Sequence, residues 1–126
     1  MTLECSLASF LGDIEVLDRR KNVYASTFPS EILTCRFPDG RIERFLVKSS
    51  SGRDHSAFGH RGGVRYEAMV YRQVVEPSGL TAPRYYGEIS NGESAVVLQY
   101  LDGAVNAEEY IPVQDALEQA AAWAGR

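Results

Sequence analysis

The sequence is poor in the residues that would mark several classes of function. It has two cysteines, Cys5 and Cys35, among 126 residues. That is too few for a disulfide framework and fits a reducing compartment, although sequence alone leaves a single bridge open. No stretch approaches the roughly 20 apolar residues of a membrane-spanning helix. The opening Met-Thr-Leu-Glu-Cys-Ser has neither the basic segment nor the apolar run of a signal peptide, so the expected location is the cytoplasm. Positive charge is not in excess: 13 Lys and Arg stand against 17 Asp and Glu, for a net charge of -4. With no basic stripe to offset that balance, a nucleic-acid partner is not expected, and neither is a membrane. The two histidines, His55 and His60, sit in one polar loop. Their spacing from each other and from the cysteines matches no standard zinc pattern, so a solvated loop is the default reading. Internal repeats and low-complexity segments are absent.

What is present describes one globular domain, residues 1–126. Hydrophobic residues make up 44% and charged residues 24% of the chain, which is ordinary for a protein with its own core. Leu3, Leu7, Phe10 and Leu11 recur at helical spacing before Gly12 and predict a short N-terminal helix. Asp13 to Leu17 predicts a first strand. Asp18-Arg19-Arg20-Lys21-Asn22 then reads as a solvated polar turn, or as a cationic patch that draws an anion toward the next segment. Glu31–Phe37 and Ile42–Lys48, joined by Pro38-Asp39-Gly40, predict a hairpin. Residues 49–63 read as a long loop. Val64 to Glu76 predicts a helix with Val64, Ala68, Tyr71 and Val75 on one face and Arg65, Arg72 and Gln73 on the other, ended by Pro77-Ser78-Gly79. Arg84–Ile89 and Ser94–Tyr100 flank Asn91-Gly92, a type I′ hairpin signal. The unbroken Ala95-Val96-Val97-Leu98 suits a central strand covered on both faces. Val113–Ala124, opened by Pro112, predicts a C-terminal helix. The expected fold is therefore α+β: a five-stranded, mostly antiparallel sheet with one packed helix, plus short N-terminal and C-terminal helices.

Two side chains stand out in that layout. Strand alternation puts Ile42, Arg44, Leu46 and Lys48 on one face. Glu67 falls inside the apolar arc of the helix, where a carboxylate needs a cationic partner. Lys48 is the best candidate. Lys48 as a solvated strand-end lysine, and Glu67 reaching solvent or pairing with Arg44, are the competing readings. Cys35 reads as a buried strand residue with no histidine placed to activate it. Trp123 would ordinarily be core, or would lie partly exposed on a face meant for another structural unit.

The stretches Arg44-Phe45-Leu46-Val47-Lys48, Tyr66-Glu67-Ala68-Met69-Val70-Tyr71-Arg72 and Val96-Val97-Leu98-Gln99-Tyr100-Leu101-Asp102-Gly103, in that order, resemble the N-terminal lobe of the aminoglycoside phosphotransferase (choline kinase–like) family. These are relatives of the protein kinases that phosphorylate small molecules. The resemblance spans roughly residues 13 to 124. It rests more on order and spacing than on any one motif. It implies a nucleotide-binding lobe that takes ATP with Mg. Lys48 would hold the α- and β-phosphates and Glu67 would orient it, with Leu46, two residues before, roofing whatever the lysine touches. Main-chain groups of Gln99 and Leu101, flanking Tyr100, would grip adenine. Ser26 and Thr27 would line the covering turn, mapped onto Ala25 to Phe28.

The chain departs from the family pattern in two ways. The covering turn lacks the glycine-rich pattern of protein kinases. The His-x-Asp-x-x-x-x-Asn pattern that supplies a catalytic aspartate and a metal-binding asparagine occurs nowhere in the sequence. The expectation is a small lobe without its catalytic half. It would be inactive as a phosphotransferase by itself, with its small-molecule acceptor undefined. The alternative is a non-catalytic nucleotide-binding or protein-interaction module, with self-association through the exposed lobe face.

Overall fold

The computed structural model describes residues 3–23, 28–50, 63–90, 94–104 and 111–125. Ser26 and Thr27, the Asn91-Gly92 turn, and the loop histidines His55 and His60 lie outside the described residues. In chain order the elements are α1 (Leu3–Leu11), β1 (Glu15–Lys21), β2 (Ser30–Arg36), β3 (Ile42–Ser49) and α2 (Gly63–Val70). There follow a π-helical turn (Tyr71–Val75), a short α3 (Glu76–Ser78), β4 (Tyr85–Ser90), β5 (Ser94–Gln99) and α4 (Val113–Ala124). The five strands form one sheet in the order β1-β2-β3-β5-β4, and every neighbouring pair is antiparallel. This is the α+β layout expected from the sequence.

Strand alternation divides the core in two. One face carries Leu33, Cys35, Phe45, Val47, Ile89 and Val97, and α1 closes it with Leu7 and the flanking Phe10 and Leu11. Phe45 is its centre, fully buried and edge-on to Tyr86 at 5.0 Å. Gly87 lets Phe10 approach: a Cβ there would lie 3.0–3.1 Å from three ring carbons. The other face carries Val96 and Leu98. It is closed by Phe28, by Val64 and Ala68 of α2, and by the partly buried Leu46, Tyr71 and Tyr85. The sheet is thus covered by a helix on each face, α1 on one and α2 on the other. Residues 95–98 of β5 are buried without interruption, as an interior strand between β3 and β4 requires.

The first strand differs from expectation. It runs Glu15–Lys21, so Arg19, Arg20 and Lys21 belong to the sheet and not to a turn. β1 is an edge strand with mostly solvated residues, where charge costs little and blunts sheet-to-sheet pairing. Arg19 also makes a two-oxygen bridge across to Glu31 on β2 (2.8 and 2.9 Å). A register shift between Val16 and Asp18 accompanies the exposure of Leu17.

The helix after residue 63 is also longer than predicted. It continues through Ser78 to Gly79, whose φ of +70° makes a left-handed cap suited to glycine. The π-helical turn lies just before Pro77, and the Glu76 N–H donates to Tyr71 O, five residues back. A proline ring crowds the carbonyl four residues before it and donates nothing. A locally widened helix accommodates both defects.

Candidate functional site

β3 and α2 bring Lys48 and Glu67 together. Lys48 Nζ donates to Glu67 Oε1 at 3.1 Å and to Oε2 at 3.3 Å. The sheet places Lys48 between Ser30 of β2 and Val96 of β5, on the same face as Leu46. Val64 and Ala68, the buried residues on either side of Glu67 along the helix, seat α2 on that face. Both charged side chains are less than a third exposed, at 21% and 29%. The pairing of Glu67 with Arg44 is not what the structure shows. Arg44 Nη1 instead donates to Asp102 Oδ1 at 2.8 Å.

Leu46 is half-buried and packs with the α2-side cluster. It lies next to Leu98 across the β3–β5 ladder, two residues from Lys48. Beside Glu67, Tyr71 stacks on Tyr85 with centroids 5.8 Å apart and planes 12° from parallel. Burial raises the Tyr71 phenol above its ordinary range, and the Glu67 charge pushes it the same way. Neither tyrosine was singled out as a site residue from sequence, because the contact joins separate elements.

The segment after β5 is held by polar contacts. Gln99 N–H donates to Arg84 O at 2.8 Å, Tyr100 N–H to Arg44 O at 3.4 Å, and Ala104 N–H to Leu101 O at 3.1 Å. The Arg84 N–H goes to the Gln99 side chain, Oε1, at 3.1 Å. An open recess of about 570 Å³ lies here, between the first residues of β3, Tyr86, and Gln99, Tyr100 and Asp102. It includes two of the residues expected to meet a base, Gln99 and Tyr100, but neither Lys48 nor Glu67. Leu101 is outside its lining, with its side chain about half exposed. The ion pair, and not the recess, therefore marks the centre of the candidate chemistry. Its lining mixes the exposed polar Arg44, Gln99 and Asp102 with exposed Ile42 and the partly buried Glu43, Tyr86 and Tyr100.

Cys35 is fully buried on the α1 face of the sheet, and burial pushes its thiol up to about 11, with the Glu4 charge adding to the effect. A thiol so held is a core group and not a nucleophile at neutral pH. Cys5 is exposed and does not bridge to it. Trp123 on α4 donates its indole N–H to Thr81 O at 2.6 Å. No helix among the described residues is long and apolar enough to cross a membrane. No family model, curated protein or solved structure matches the chain.

Proposed function

We propose that this chain is the ATP-binding small lobe of a phosphotransferase acting on a hydroxyl of a small molecule. The observation that carries the reading is the Lys48–Glu67 pair, a lysine on the third strand held by both oxygens of a carboxylate from the facing helix. An ammonium fixed in this way presents its remaining N–H to phosphate oxygens without wandering. Glu67 balances its charge when no ligand is bound. In this reading Lys48 binds the α- and β-phosphates, Glu67 orients it and Leu46 roofs what the lysine holds. Main-chain groups of Gln99 and Leu101 meet the base edge, and Ser26 and Thr27 offer hydroxyl donors to the nucleotide. Mg-bound ATP supplies the transferable γ-phosphoryl group. The base and metal ligands of that transfer have no matching motif in this sequence, so the chain binds nucleotide and does not turn it over. A cytoplasmic location goes with this reading, and two unbridged cysteines suit a reducing compartment.

The test is calorimetric titration with Mg·ATP, beside Lys48→Ala. Saturable binding that weakens at least tenfold in the variant supports the site. A folded wild-type chain that takes up no nucleotide removes it.

A second reading, an interaction module, is favoured by one feature. None of the residues of α4 is buried, and Val113 and Leu117, one turn apart, are each 63% exposed. Self-association through this face predicts a concentration-dependent sedimentation coefficient that Leu117→Asp abolishes. A monomer at all concentrations counts against it.

A further inference from the structure

We infer that Arg44 is a positioning residue for the base end of the site, acting through Asp102; this rests on the nucleotide site proposed above. Arg44 stands on the same strand face as Leu46 and Lys48, two and four residues before them. Its two ends tie β3 to the segment that leaves β5. The main-chain carbonyl receives Tyr100 N–H at 3.4 Å, one residue beyond the Phe45–Gln99 end of the β3–β5 ladder. The guanidinium reaches Asp102, 58 residues along the chain, at 2.8 Å. Immediately afterward the chain turns away at Gly103, with φ +75° and an Ala104-to-Leu101 bond closing the turn.

The tie matters because little of this segment is buried. Gln99 and residues 101–104 are exposed and Tyr100 is only partly buried. Its position therefore depends on polar contacts: the main-chain bonds from Gln99 to Arg84 O and from Tyr100 to Arg44 O, the Gln99 side chain to Arg84 N–H on the β4 side, and Arg44–Asp102 on the β3 side. The Arg44 and Asp102 side chains are 52% and 66% exposed, so solvent screens the pair and its contribution is modest. A modest tie still shifts the fraction of time a segment spends in its binding arrangement when little else holds it.

Three probes separate the base end from the phosphate end: Mg·ATP, adenosine, and Mg·tripolyphosphate. Each is titrated by calorimetry into the wild type, Arg44→Ala, Asp102→Asn, and the exchanged pair Arg44→Asp with Asp102→Arg. The single variants are expected to weaken Mg·ATP and adenosine by about three- to fivefold and to leave tripolyphosphate within about twofold. The exchanged pair recovers most of the loss. Asp102→Asn is the sharpest arm. It removes a negative charge near an anionic ligand, so simple attraction predicts tighter binding, while positioning predicts weaker binding. Unchanged ATP affinity in the single variants, equal losses for ATP and tripolyphosphate, or tighter binding by Asp102→Asn overturns the role of Arg44 and leaves the nucleotide site standing. Failure of the wild type to bind Mg·ATP overturns both. Thermal melts of each variant confirm that it is folded.

Discussion

Lys48 and Glu67 meet through both carboxylate oxygens, at 3.1 and 3.3 Å, from a strand and a helix 19 residues apart in sequence. The pair is flanked by apolar packing from Val64, Ala68 and Val96, and it is more sheltered than the other ion pairs of the described residues, at 21% and 29% exposure.

Breaking one side of it leaves a partly buried charge alone. Lys48→Met is expected to cost about 1–3 kcal/mol, between the values typical of exposed and buried pairs. Adding Glu67→Leu should return part of that loss, because the stranded carboxylate is removed with its partner. Urea denaturation of the single and double variants gives the comparison. A double variant less stable than Lys48→Met would show that Glu67 has another stabilising role.

Alkaline pH should weaken the fold. Cys35 holds its proton in the folded chain up to about 11 against 9.0 when exposed, chiefly through burial. The folded state therefore binds more protons than the unfolded one across that interval. The stabilisation is complete below about 9 and is lost as pH rises toward 11. Tyr71 and Tyr85 are raised from 10.0, also mainly by burial, and add loss of the same sign at the upper end. Denaturant midpoints taken from pH 8 to 11 should fall. Cys35→Ala should flatten the early part of the fall, and an unchanged profile in that variant would assign the effect elsewhere.

Gly87 is a test of how α1 is seated. Gly87→Ala places a methyl carbon 3.0–3.1 Å from the Phe10 ring and should cost about 1–3 kcal/mol as the ring is displaced. Combining it with Phe10→Leu should cost less than the sum of the two single changes, since they share one contact. Additive costs would mean that the methyl is accommodated without touching Phe10.

Phe45 lies on the face opposite Lys48, so its loss should separate stability from binding. Phe45→Ala is expected to cost about 3–5 kcal/mol, from a side chain with no exposed surface that contacts Tyr86 and Phe37. At a temperature where the variant is still folded, its Mg·ATP affinity should stay within about twofold of wild type. A large affinity loss there would couple the two faces of the sheet.

The strands with strong alternation and the uninterrupted apolar run at 95–98 were readable from sequence, because burial on one or both faces dictates those patterns. The Lys48–Glu67 pair was readable for a related reason: a carboxylate inside the apolar arc of a helix demands a cation, and the hairpin offered one. β1 was read too short because Arg19, Arg20 and Lys21 sit on an edge, where the sheet imposes no apolar pattern. The π-helical turn had no sequence signal except Pro77. The Arg44–Asp102 and Tyr71–Tyr85 contacts depend on which elements become neighbours, and no local spacing encodes that.

The indole anchored on the Thr81 carbonyl makes the chain's lone tryptophan a built-in gauge of one joint. Its emission should report whether α4 is seated against the connection between α3 and β4. A helix that peels away would leave the indole in bulk water and shift its spectrum while Lys48 and Glu67 remained paired. Fluorescence and calorimetry would then follow two different events in the same molecule, and a difference between their midpoints would measure how independently the last helix moves.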